Sequence, residues 1–176
     1  MAMQRAGPRI VNGKTEKKSN MQVFVPYKNP LECAAVLDAR RLNKQIIECR
    51  QILAAIRGES SAWRNHPCTK MYATHVYWLE CYQHCLECYK SYQDLYHTDF
   101  DEAMQDLRLA EEWSDDANAI RPEFLTDEFV DHHKVRLYTK SHKDYMQFCT
   151  LGTSDINRYF VDGEWLYYRN GKQIKD

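Results

Sequence analysis

The 176-residue sequence predicts a predominantly helical single domain, and three observations carry that prediction. Leu42, Ile46, Cys49, Leu53 and Ile56 recur at helical spacing and draw one apolar stripe along residues 37–56. After Pro67 there is no proline or glycine until beyond Tyr96, while Met71, His75, Trp78, Tyr82, Leu86, Tyr89 and Gln93 trace a second helical face. The strongest turn signals, Asp162-Gly163 and Asn170-Gly171, are confined to the aromatic end of the chain.

Taken in order, residues 1–20 are polar and basic without sustained periodicity, and read as a flexible extension. Met21 looks like a second beginning, opening the short apolar run MQVFVPY, of strand or extended type. Asn29-Pro30-Leu31-Glu32 has a helix-start pattern: Asn to cap, Pro in the first turn, Glu near the exposed N–H groups. A short helix is expected over 30–37. Asp38 then caps the principal helix, over 39–57, and Gly58 stops it. Residues 59–65 form a loop. His66-Pro67 opens a long second helix of roughly eight turns. Residues 99–118 carry some helical spacing (Met104, Leu107, Ala110, Trp113) but read mostly as a solvated acidic insertion. Beyond Arg121-Pro122 a further helix is expected to end near Ser141, followed by a short helical stretch over 142–148 and a hairpin around Trp165–Tyr168.

Composition narrows the class. Hydrophobic content of 44% and charged content of 28% are ordinary for a soluble globular domain. No apolar run approaches the roughly 18 residues of a membrane span, and the start lacks a secretory apolar core. Seven cysteines, an odd number without a compact framework, argue for reduced thiols in the cytoplasm. The net charge of −1 conceals a division, because residues 99–116 hold eight acids against Arg108 alone. The first twenty residues carry five cations against Glu16. The remaining body is nearly neutral, so charge alone does not announce a nucleic-acid binder.

Several constellations carry chemistry. Beside the stripe of the principal helix lie Arg41, Lys44, Gln45 and Glu48, since residues three, four and seven apart share a helix surface. Their ordinary reading is a solvated Lys44–Glu48 pair. Cys81, His84, Cys85 and Cys88 share a helix face but lack the turn that zinc sites use, so no metal and no cofactor are expected. Arg64, Asn65, His66 and Lys70 flank a helix N-terminus where a phosphate could sit. His132 and His133 adjoin Lys134 and Arg136, with Lys140 and Lys143 beyond, on either a surface basic helix or a phosphate-contacting one. There is no phosphate-binding glycine loop, HExxH or nucleophile elbow.

MQVFVPY, LDARRLNKQIIECRQIL, WRNHPCTKMY, the long helix and DEFVDHHKVRLYTKSHKDY, in that order, resemble the pyrimidine dimer DNA glycosylases, relatives of phage endonuclease V. The resemblance covers most of residues 21–148, with RLNKQ…E and NHPC its most specific parts. GEWLYYRNGKQI resembles the family's aromatic tail, whereas the acidic insertion and residues 1–20 have no counterpart. A compact all-α fold and a DNA-repair activity are what it implies. In the phage enzyme a terminal amine attacks C1′ of the damaged nucleotide, and a helix glutamate assists imine formation and β-elimination. Glu48 matches that glutamate by its place in the helix.

Twenty residues precede Met21 here, so Lys44, one helical turn from Glu48, is an alternative amine. Gln22, whose bulk disfavours removal of Met21, is the third catalytic candidate. Arg40, Arg41, Arg64, Asn65, His66, Lys70, His133 and Arg136 are the candidates for holding DNA, and Trp63 or Tyr72 for filling the gap of a displaced base. The expected partner is damaged duplex DNA and the expected state a monomer. A non-catalytic nucleic-acid or nucleotide-binding module on the same fold is the alternative.

Overall fold

The computed structural model describes residues 21–94 and 99–175. The flexible extension expected over 1–20 lies outside them. Six α-helices, one 3-10 helix and a three-stranded sheet follow in order among the described residues. Helix α1 spans Pro30–Val36, with the Asn29 side chain accepting from the N–H groups of Leu31 and Glu32. Helix α2, the principal helix, spans Ala39–Ile56. It buries Leu42, Ile46, Cys49, Ile52 and Leu53, and the chain leaves it through Gly58 at φ +77°. That left-handed turn suits glycine.

Asp38 caps α2 by accepting the Arg41 N–H at 3.0 Å, while the Tyr145 hydroxyl donates to its other oxygen. Partial burial opposes the ionised carboxyl, but the Tyr145 hydroxyl, the cap and Arg41 outweigh it and hold its pKa below the usual carboxylate range. Asp38→Ala is expected to cost about 1–2 kcal/mol in urea denaturation at pH 7. Because the folded pKa is the lower one, that difference should shrink as pH falls below about 4.

The eight-turn helix expected after Pro67 is two helices, α3 (Pro67–Tyr72) and α4 (Val76–Tyr92), parted by Ala73-Thr74-His75. Ring packing gives the reason. Residues six apart on an unbroken helix point about 120° away from each other. Yet Tyr72 and Trp78 stack at 5.7 Å and 7°, and Trp78 stacks on Tyr82 at 5.1 Å and 11°. Breaking the helix turns Tyr72 back over Trp78 and builds a three-ring column in the core.

The acidic segment is also a helix, α5 (Phe100–Ala119), rather than a loosely solvated excursion. Small residues decide this: Ala110, Ser114 and Ala117 are buried, letting α5 lie close on α4 and α1. Ser114 Oγ donates to the Asn29 cap and accepts the Leu31 N–H. Most of the acids remain on its exposed face.

Helix α6 (Asp127–Lys140), capped by Thr126, precedes the 3-10 helix Met146–Leu151. Strands β1 (Ile156–Val161), β2 (Glu164–Arg169) and β3 (Lys172–Gln173) form an antiparallel meander. Its turns are Asp162-Gly163 and Asn170-Gly171, all four residues at positive φ. The fold is therefore mostly helical but not all-α. Two tight turns of the kind that match strand twist convert the aromatic tail into a sheet. Asn157, Tyr159 and Val161 alternate inward and join it to the core.

The apolar run at Met21–Val25 is extended but pairs with no strand among the described residues. It is threaded through the core, with Met21, Val23, Phe24 and Val25 almost wholly buried. Side chains take the place of a neighbouring strand. Tyr159 Oη donates to the Met21 carbonyl (2.7 Å) and Gln45 Nε2 to the Gln22 carbonyl (3.2 Å). The Phe24 N–H donates to Gln45 Oε1 (2.8 Å), its carbonyl accepts from Tyr82, and the Val25 N–H donates to His133 Nδ1 (2.6 Å). Each such group left unpaired in the interior would cost about 1–3 kcal/mol.

Candidate functional site

The extended segment, α2 and α6 converge on Glu48. Its carboxyl is buried on the inward edge of α2, one turn from Gln45. Gln45 holds three groups at once. Its oxygen accepts from Phe24, and its nitrogen donates to the Gln22 carbonyl and to Glu48 Oε2 at 2.9 Å. Lys44 Nζ lies 3.7 Å from Glu48 Oε1, with the lysine side chain 56% exposed. Burial pushes the Glu48 pKa up to about 7, against the opposing pull of Lys44, Arg41, the Gln45 hydrogen bond and Lys140. A carboxyl so poised can accept or donate a proton near neutral pH.

A rim of cations surrounds it. The guanidinium of Arg41 stands 5.7 Å from the centre of the Phe24 ring, and Lys140 Nζ 5.9 Å from the same centre. Both are within the range of cation–π attraction, and both reach Glu48 electrostatically. Lys140, which sequence reasoning left among the cations of a basic helix, is thus part of the site. It lies four residues after Arg136 and seven after His133, and that spacing was the legible signal. Tyr159 emerges only from the fold, as do the Phe24 and Gln22 partners of Gln45.

Two expected phosphate contacts are corrected by burial. His133 is fully buried, with Nδ1 accepting from Val25 and Nε2 lying 3.0 Å from the Gln22 amide. The Val25 N–H needs a lone pair on Nδ1, so the ring proton sits on Nε2 and the Gln22 amide oxygen is the group suited to accept it. Burial, with His132 and Arg136 nearby, drives its pKa well below the usual imidazole value. Arg136 is spent on the sheet, donating from Nε to Asn157 Oδ1 (3.0 Å) and from Nη1 to the Ser154 carbonyl (2.6 Å). Neither side chain is presented at the surface. Helix packing that the sequence pattern does not disclose turned both inward.

The remaining candidates divide. Gln22 lies in the site through its backbone carbonyl, while its side chain is a buried structural amide. Arg40, Arg64, Asn65 and Lys70 are exposed. His66 caps α3 by accepting the Cys68 N–H at 3.1 Å, and packs edge-on against Trp63 (5.7 Å) and Tyr159 (5.6 Å). Tyr159 then links this loop to Met21. Half-buried Trp63 remains near the surface, whereas Tyr72 is fully buried and cannot enter a DNA helix.

Cys81 and Cys85 are buried, and His84 packs on Trp113 at 4.7 Å. Among the described residues no group of three or more His, Cys, Asp or Glu could hold a metal ion. None of the described helices is long and apolar enough to cross a membrane.

A helical fold whose centre is one proton-exchanging carboxyl within a rim of cations is suited to acid–base work on an anionic ligand. Residues 21–88 match the family model described as pyrimidine dimer DNA glycosylase, the family whose resemblance is read from the sequence motifs. That span holds Gln22, Arg41, Lys44, Gln45, Glu48 and the 63–70 loop; Lys140 and the sheet lie beyond it. No curated protein and no solved structure matches the chain.

Proposed function

We propose that the protein is a DNA-repair N-glycosylase with abasic-site lyase activity on damaged pyrimidines, pyrimidine dimers foremost. The observation that carries this reading is the buried Glu48 carboxyl, with a pKa of about 7, beside Arg41, Lys44 and Lys140. The match of residues 21–88 to the pyrimidine dimer DNA glycosylase model supports the glycosylase part of this reading.

In the reaction an amine attacks C1′ while the glycosidic C1′–N bond breaks and the base leaves with a proton. The sugar ring then opens as the C1′–O4′ bond breaks and O4′ takes up a proton, and the resulting imine acidifies the C2′ hydrogen. Ionised Glu48 takes that proton, the C3′–O bond breaks to release a 5′-phosphate end, and water returns the amine. Arg41 and the exposed Arg40, Arg64 and Lys70 are suited to phosphate contacts, and Trp63 to stacking where a base is displaced. Extruding a base costs a few kcal/mol, which these contacts offset.

The test is nicking of ultraviolet-irradiated supercoiled plasmid against an unirradiated control, with an abasic duplex in parallel. Irradiation-dependent nicking is the expected result. DNA binding without nicking of either damaged substrate would overturn the catalytic reading in favour of a binding module.

Phosphate contact also makes a quantitative prediction. Arg41→Gln should weaken binding to duplexes of any sequence and lower the slope of log affinity against log salt by about 0.9. Fluorescence anisotropy across a salt series measures both. An unchanged slope would remove Arg41 from the DNA path.

A further inference from the structure

We propose that Lys140, carried by the last turn of α6 to the Phe24 ring beside Arg41 and Glu48, is the amine that forms the imine with deoxyribose C1′. The inference rests on the lyase reading above and names the group that reading leaves open.

Two lysines reach Glu48, and their settings differ. Lys44 sits on the same helix as Glu48, with its side chain mostly in solvent and its ammonium near Glu48 Oε1. Lys140 comes from a different helix and lies over an aromatic ring that it shares with the Arg41 guanidinium. The charged groups facing it are Arg136 on its own helix and Arg41, Lys44 and Glu48 on α2. Three of the four are cations.

Protein bulk around Lys140, then Arg136, Arg41 and Lys44, lower its pKa to about 8, with Glu48 pulling the other way. The lowered pKa raises the share of neutral amine, the form that attacks in imine formation. Lys140 is also exposed at the surface, where a sugar can meet it.

The step balances without any further reagent. At an abasic site the Lys140 nitrogen lone pair adds to the C1′ aldehyde, giving a carbinolamine. Protonated Glu48 gives its proton to the departing hydroxyl, water leaves, and the iminium forms. The Glu48 carboxylate left behind removes the C2′ proton, and the C3′–O bond breaks. Hydrolysis restores amine and aldehyde.

The experiment is borohydride reduction of the full chain mixed with a duplex holding one abasic site, followed by peptide mapping of the adduct. The same trapping and a binding measurement are made on Lys140→Arg, which keeps the cation but cannot form the imine. Support is an adduct mapped to Lys140 and lost in Lys140→Arg while DNA binding persists. An adduct on Lys44, on a chain-terminal amine or on any other group overturns the inference and leaves the lyase reading standing. So does undiminished trapping by Lys140→Arg. Strand nicking without any adduct also overturns it. Neither adduct nor nicking overturns the lyase reading and the inference together. Mapping on the unaltered protein keeps the result independent of how the variant folds.

Discussion

Glu48→Gln is expected to lower the nicking rate on ultraviolet-irradiated and abasic duplexes by roughly 10²–10⁴-fold, the usual worth of a positioned acid–base group. The substitution is close to isosteric and keeps an oxygen to accept from Gln45, so the framework around Phe24 should survive. Stability provides the check. Burial raises the Glu48 pKa from about 4.5 to about 7, so the unfolded chain ionises this group before the folded protein does. Its effect is therefore a loss of stability as pH rises from about 4.5 to 7, amounting to up to about 3 kcal/mol. The glutamine variant lacks that penalty. In urea melts it should equal the parent near pH 4.5 and exceed it at pH 8. Full nicking activity in Glu48→Gln would end its acid–base role. A variant no more stable than the parent at pH 8 would contradict the desolvated carboxyl.

His133→Ala is expected to have the largest effect on folding. The ring packs on Phe129 at 4.3 Å and on Phe24 at 5.8 Å, and it satisfies Val25 and Gln22. Deleting it opens a cavity and orphans a buried N–H, together costing about 3–5 kcal/mol. Against a typical domain stability of about 5–15 kcal/mol, that is a large share. His133→Phe keeps the ring volume and should lose only the hydrogen bonds, about 1–3 kcal/mol. Denaturation midpoints of the two variants separate packing from polar satisfaction. Equal stability of His133→Ala and the parent would refute the structural role.

Acid should act through the same place. Burial, then the Arg158 and Arg136 charges, lower the His132 pKa to about 4 although its ring nitrogen meets the Ile156 carbonyl at 2.7 Å. His133 is lowered as well. Both contribute stability that is complete above about pH 6.5 and lost as pH falls from there, through about 4 for His132. This loss on acidification opposes the gain from Glu48 over an overlapping range. Since two imidazoles act against one carboxyl, net destabilisation by acid is the expected sum.

Much of the local structure was legible because it depends on local chemistry. The Asn29 and Asp38 caps, the Pro30 and Pro67 starts, the Gly58 stop and the two Asx-Gly turns all act within a few residues. The apolar stripe of the principal helix was legible for the same reason: period alone identifies the buried face. So was the nearness of Lys44 to Glu48, one helical turn apart.

Tertiary structure decided what distance along the chain conceals. The long helix breaks at 73–75 because Tyr72 stacks on Trp78, a gain that no propensity scale contains. Segment 21–25 looks like a strand and is extended, yet its partners are side chains of Gln45, Tyr82, His133 and Tyr159. Only the folded chain could name them. Charge was least legible of all. His133 and Arg136 read as surface cations because their helix has a weak apolar period, and packing turned both into the core. Lys140, on the same helix, stayed at the rim. Whether a basic side chain holds the protein together or meets a ligand depends on which neighbours surround it, and those neighbours come from elements a hundred residues apart.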